Sequence, residues 1–180
     1  MKNILMIRKI GDPILRKKCI DITESTFKTA RIKNCIKNLK DTFEYNDGFG
    51  IAAPQIGELL NIIIIKVEKE KCKYAGAEDF PTTVIINPKI EYLGIEKNCE
   101  YEGCMSIPEI RGKVERFMAI KVTYKNENFE TVTKTFDNFI ARLIQHETDH
   151  LNGIVFMDKL TSPQDIATVF NLNKFIEVKK

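Results

Sequence analysis

The stretch Gln145-His146-Glu147-Thr148-Asp149-His150-Leu151-Asn152-Gly153 constrains this chain more than any other. His146 and His150 are its only two histidines, and they stand four residues apart. On a helix that spacing sets both imidazoles on one face, one turn apart. Two neutral imidazoles so placed can share a metal ion. Glu147 follows the first histidine, so its carboxylate can reach a water at an open metal position without being a ligand itself. His-Glu-x-x-His also arises by chance on surface helices, so its surroundings matter. Here Asp137 or Asn138 can act as N-cap. Phe139, Ile140, Leu143, Ile144 and Leu151 recur at helical spacing, and Asn152-Gly153 is a helix stop. The pattern predicts a mostly buried helix of about four turns, rigid enough for a metal site.

A buried helix needs a core around it. The 180 residues suffice for one domain, 1–180. An apolar content of 43% and a charged content of 29% are ordinary for a globular protein. The net charge of +3 is too small to argue for nucleic acid, so no nucleic-acid site is expected. Met1 to Arg8 hold too short an apolar run for a signal peptide. No run approaches the ~18 apolar residues of a membrane helix, so no membrane is expected either. The five cysteines are an odd number without framework spacing, which predicts reduced thiols and a cytoplasmic setting.

In chain order, residues 4–10 form a short apolar run and Gly11-Asp12-Pro13 a turn. Ile32, Cys35, Ile36, Leu39 and Phe43 follow a period near 3.6, predicting an amphipathic helix from Phe27 to Tyr45 with a solvated lysine face. Gly48 to Gly57 is rich in glycine and alanine, which lets another backbone come close. Ile62–Val67, with four consecutive isoleucines, reads as a buried strand. Residues 68–80 read as a charged surface loop. Thr83–Ile86, Pro88–Leu93 and Ile95–Asn98 read as short strands separated by turns. Glu100 to Pro108 is too irregular for a helix. Lys113–Tyr124 and Phe129–Phe136 alternate as a hairpin turning at Lys125 to Asn128. Ser162-Pro163-Gln164-Asp165 could start a last short helix.

A catalytic metal site usually takes three protein ligands and keeps one position open. With no third histidine, the third ligand is a carboxylate or a cysteine. Downstream of the motif stand only Asp158, Asp165 and Glu177, as a zincin-type endopeptidase would require. Upstream stands Cys104, beside Gly103. A lone cysteine is more often a buried structural thiol.

Three ordered motifs bring a family into view. Gly48-Phe49-Gly50-Ile51-Ala52-Ala53-Pro54-Gln55, Glu102-Gly103-Cys104-Met105-Ser106 and Gln145 to Gly153 match, in order, the G-x-G-Φ-A-A-x-Q, E-G-C-Φ-S and Q-H-E-x-D-H-L-x-G motifs of the peptide deformylases. Gly11 to Arg16 is also similar to family members, and the chain resembles them to about Leu160. Two common family leucines are replaced by Ile51 and Met105.

The resemblance implies an α+β fold, with antiparallel β-sheets packed around the motif-bearing helix. It implies a hydrolase that removes the formyl group from the formyl-methionine of nascent peptides, with transient ribosome association possible. Cys104, His146 and His150 would hold the metal, Fe²⁺ by preference, with Zn²⁺, Ni²⁺ or Co²⁺ as substitutes. Glu147 would be the general acid/base. Gln55 and the Met105 backbone N–H would stabilise the oxyanion. Gly50 and Gly103 would bind the substrate backbone as an added strand. Phe49, Ile51, Phe139, Arg142 and Leu143 would lie at or near the methionine pocket, with Arg111 at its outer rim. A non-catalytic metal-binding protein on the same fold is the other reading, but metal binding alone requires neither Gln55 nor Glu147.

Overall fold

The computed structural model describes residues 2–72, 74 and 76–176. Helix α1 (Glu24–Phe27) is capped by Thr23, whose side chain accepts from the Thr26 N–H. Helix α2 (Ala30–Tyr45) begins three residues later than its periodicity predicts, because Thr29 adopts extended backbone between the two helices. Strands β1 (Gly50–Ala52), β2 (Ile62–Val67), β3 (Phe80–Cys104), β4 (Ile107–Lys125) and β5 (Thr131–Asp137) follow. Helix α3 (Asn138–Leu151) carries the histidines, and β6 (Ile166–Thr168) comes after it. The strands form one antiparallel six-stranded sheet in the order β1-β2-β3-β4-β5, with β6 also paired to β4.

β2 divides the apolar interior. Successive side chains of a strand point to opposite faces. Ile63 and Ile65 therefore join the core under α3, with Phe139, Leu143 and Ile144. Ile62 and Ile64 join the core under α2, with Ile32, Cys35, Leu39 and Phe43. Both faces are covered, which explains four isoleucines in succession rather than alternation. A smaller cluster of Cys104, Ile107, Val114, Val155 and Phe156 adjoins the motif helix.

The sequence reading of three short strands between Thr83 and Asn98 is corrected. These residues belong to the continuous strand β3, which pairs with β4 as far as Cys104. Asn87 (φ 51) and Gly94 (φ 70) look like turn residues in sequence but sit where the ladder register shifts. They bend the strand without ending it. β3 and β4 meet through Met105-Ser106, with Cys104 paired to Ile107. The hairpin β4–β5 turns at Asn126, whose side chain accepts from the N–H groups of Asn128 and Glu130. The helix expected from Ser162 is a single 3₁₀ turn, Pro163–Asp165, capped by Ser162.

The 68–80 segment also departs from a plain surface loop. After a 3₁₀ turn, Lys69–Lys71, it brings Ala77 into the core under α3 and Tyr74 against that core. Lys73 and Ala75 lie outside the described residues. No helix among the described residues is long and apolar enough to cross a membrane.

Candidate active site

The β3–β4 turn and α3 bring together Cys104, His146 and His150. Their donor atoms all lie within 4.8 Å of one another, the one such three-residue group among the described residues. The imidazole centroids are 5.2 Å apart, and Cys104 Sγ is 3.2 Å from His150 Nε2. The alternative downstream carboxylates are engaged elsewhere. Asp158 pairs with Arg16 and accepts from the Val155 N–H, and Asp165 accepts from Thr161. Glu177 lies outside the described residues.

The charges around this trio are arranged by Glu102, two residues before Cys104. Its carboxylate is 2.9 Å from His146 Nδ1, and it takes two hydrogen bonds from Arg116 and a third, at 2.6 Å, from Arg142. A proton on Nδ1 leaves His146 Nε2 as a lone pair for a metal, as carboxylate partners commonly arrange. Burial alone would raise the Glu102 carboxyl. The hydrogen bonds from His146 and Arg116 overcome it and hold the group well below its ordinary range. Burial likewise opposes ionisation of Cys104, yet the adjoining His150 and His146 bring its thiol well below the ordinary value. A thiolate and two imidazoles are a donor set that divalent metals take.

Glu147 is 3% exposed, and burial pushes its carboxyl up to about 7 despite the lowering effect of the two histidines. Its Oε2 is buried without a hydrogen-bond partner among the described residues. Such an orphan oxygen in a cavity wall fits a group that works on a ligand. Gly50 makes room for it, because a Cβ there would lie 2.4 Å from Glu147 Oε1. Gln55 is fixed from its far end. Its Oε1 accepts from the Ala52 N–H at 2.8 Å, which turns Nε2 towards Ser106 Oγ (3.2 Å) and Cys104 Sγ (3.5 Å).

A cavity of about 410 Å³ opens beside these groups. Gln55, Cys104, Met105, His146 and Glu147 line it, together with Phe49, Gly50, Gly103, Arg111, Phe139, Arg142 and Leu143. His150, fully buried, stands behind them. Ile51 is the exception, because its side chain belongs to the core under α2. Strand alternation explains this, since Ile51 points away from the face that Gly50 and Ala52 present. The Arg111 guanidinium lies over Gly103, where a Cβ would approach to 2.3 Å. Arg142 lines the cavity and also braces the strands, donating to Glu102, Val114 O and Asn98 O.

Sequence reasoning gave no role to Glu102, Arg116, Tyr74 or Val169, of which all but Arg116 line the cavity. One signal was available for Arg116. It occupies the inward register of β4, in line with Val114, Ile120 and Val122. A charge at a core position implies a buried partner.

The family model described as polypeptide deformylase matches residues 4–165. The chain belongs to the polypeptide deformylase family. It is 36% identical over 171 residues to a peptide deformylase of Leptospira biflexa, covering 95% of this chain and 93% of that protein. A second relative, from Pseudothermotoga lettingae, is 39% identical over 161 residues, covering 89% and 85%. The crystal structure of an Acinetobacter baumannii class I type b peptide deformylase bound to Met-Ala-Ser superposes with a TM-score of 0.81. It is 31% identical and covers 89% of this chain and all of that one. Polypeptide deformylases are metal-dependent hydrolases that remove the N-terminal formyl group from new polypeptides, and this chain is such an enzyme.

Proposed function

We propose that Cys104, His146 and His150 hold the catalytic metal, Fe²⁺ by preference, and that Glu147, Gln55 and Met105 carry out the deformylation around it. The observation that carries this reading is the convergence of three donor atoms within 4.8 Å beside a cavity that Glu147 and Gln55 also line. A divalent cation so held supplies Lewis acidity and lowers the pKa of water towards neutrality. Thiolate and imidazole also accept Zn²⁺, Ni²⁺ or Co²⁺. Family resemblance, rather than the donor set, favours iron.

Glu147 takes the proton of the attacking water and returns it to the departing amine. Its burial in the cavity wall, with Oε2 unpartnered among the described residues, leaves it placed for both transfers. The Gln55 amide, held by Ala52, and the Met105 N–H stabilise the oxygen of the formyl carbon as charge develops on it. β1 is an edge strand of the sheet. The substrate backbone extends it, with Gly50 on one side and Gly103 on the other. Phe49, Phe139, Leu143 and Arg142 surround the methionine side chain, Ile51 supports the strand from behind, and Arg111 stands at the rim. The Met-Ala-Ser in the Acinetobacter structure has the composition of a deformylated product, which supports a formyl-methionyl substrate here.

The whole of 1–180 acts as one catalytic domain. Its substrates are nascent chains, so contact with the ribosome is transient and the work is cytoplasmic. All five cysteines are free, in keeping with a reducing compartment. The test is formate release from formyl-Met-Ala by protein purified anaerobically, with metal content measured on the same sample. Iron in near-equal ratio to protein and rapid turnover are expected. Equal metal content in the wild type and in Cys104→Ser would overturn the ligand assignment.

A further inference from the structure

The 68–80 segment reaches the cavity through one side chain. Tyr74 lines the wall. Its ring stacks on Phe139, with centroids 4.5 Å apart and planes 18° from parallel. Phe139 in turn meets Phe49 edge-on at 5.4 Å. The Tyr74 hydroxyl donates to the carbonyl of Tyr101, on the strand that leads to Cys104. Burial pushes this phenol up to about 12, so it stays a donor at working pH. The segment is pinned on both sides of Tyr74. The Lys69 N–H donates to Asp79 Oδ1 at 2.8 Å, and Ala77 is buried under α3. Gly76, at φ +71, lies against the Asn138 side chain at the start of that helix.

The position of this ring along α3 matters. Phe139 precedes His146 by two helical turns, about 10 Å along the axis. Tyr74, stacked on Phe139, therefore stands at the end of the cavity away from the metal donors. An extended methionyl side chain, measured from its formyl carbon, covers a comparable distance. Aromatic rings at that distance meet the thioether, a contact that sulfur and aromatic edges favour.

We propose that Tyr74 is a specificity-determining residue, closing the far end of the side-chain pocket and setting the length of first residue that the enzyme accepts. This rests on the reading of the cavity as the formyl-methionine site. A single methylene too many in a closed apolar pocket changes kcat/KM by about 10- to 200-fold. Shortening Tyr74 opens the end and removes that rejection.

The test compares kcat/KM for formyl-Met-Ala and formyl-2-aminooctanoyl-Ala, whose side chain is longer and unbranched. In Tyr74→Ala the ratio of the long substrate to the methionyl one should rise about tenfold or more. In Tyr74→Phe, which keeps the ring and loses only the hydroxyl, the ratio should stay within roughly twofold. Circular dichroism and melting temperature check that each variant is folded. If Tyr74→Ala is not, Tyr74→Leu takes its place, with the same expected rise. An unchanged ratio in the folded truncation overturns the role of Tyr74. Absence of formate from formyl-Met-Ala with the metal-loaded wild type would instead overturn the underlying reading of the site.

Discussion

Glu147 combines nearly complete burial with an oxygen that no described residue satisfies. Glu147→Gln keeps its size but cannot accept the proton. We expect metal to remain bound while kcat falls by about 10²–10⁴. Near-normal turnover at full occupancy would remove Glu147 from the mechanism. Gln55→Leu should cost roughly 10²–10³ in kcat, as for other side-chain oxyanion donors. A change confined to KM would make Gln55 a ground-state contact instead. These residues were legible in the sequence because their chemistry is local, with two histidines and a glutamate at fixed helical spacing and a glutamine in a glycine-rich motif. The direction of the Ile51 side chain is not legible in this way, because one residue of strand register sends it to the opposite face, into the core under α2. Tyr74 carries no signal in a charged loop, since only its docking on Phe139 gives it a place.

At the scale of elements, the buried pairing of Glu102 with Arg116 and Arg142 ties β3, β4 and α3 together. Arg116 also bonds Asp149 on α3 at 2.5 Å. Arg116→Met leaves Glu102 and Asp149 short of a partner. Loss of one member of such a buried pair typically costs about 3–5 kcal/mol, which denaturant titration would measure. Glu102→Gln should weaken metal affinity by about 10- to 100-fold by removing the carboxylate charge that orients and polarises the His146 ring. Equilibrium dialysis against a competing chelator reads that change directly. A second element-scale expectation concerns alkali. Burial pushes the thiols of Cys19, before α1, and Cys35, within α2, up to about 12 each. Above the ordinary value of 9.0 the unfolded chain releases protons that the folded chain keeps. Their contribution to stability is therefore whole below pH 9.0 and declines as pH rises from there towards about 12. Urea midpoints on either side of pH 9.0 should show the fall. The fall should be shallower in the double variant Cys19→Ala/Cys35→Ala, and an equal slope would exclude these thiols as its source. Helices α2 and α3 and the β4–β5 hairpin are legible because period and turn chemistry agree, whereas the single turn α1 shows no periodicity to read. The length of β3 is not legible either, because Asn87 and Gly94 signal a turn in sequence and act as bends in a ladder supported by β4.

For the molecule as a whole, the three proposed metal donors come from two places far apart in sequence, the end of β3 and α3. A ligand bound only by the folded chain stabilises it by RT ln(1 + [L]/Kd), about 4 kcal/mol at a thousandfold excess over Kd. Chelation should therefore lower the melting temperature as well as abolish formate release. Calorimetry with and without chelator checks this, and an unchanged midpoint would mean that the metal does not bridge the two elements. Beneath both lies the partition made by β2. Ile62 and Ile64 serve the core under α2, and Ile63 and Ile65 the core that supports the motif helix. Neighbours one residue apart thus answer to different demands. Exchanges at Ile63 or Ile65 should therefore disturb the motif helix directly, while exchanges at Ile62 or Ile64 should reach the site through Ile51 and Met105, which pack in the core under α2. One strand thus braces the cavity twice over, from beneath its helix and from behind its glycine-rich edge.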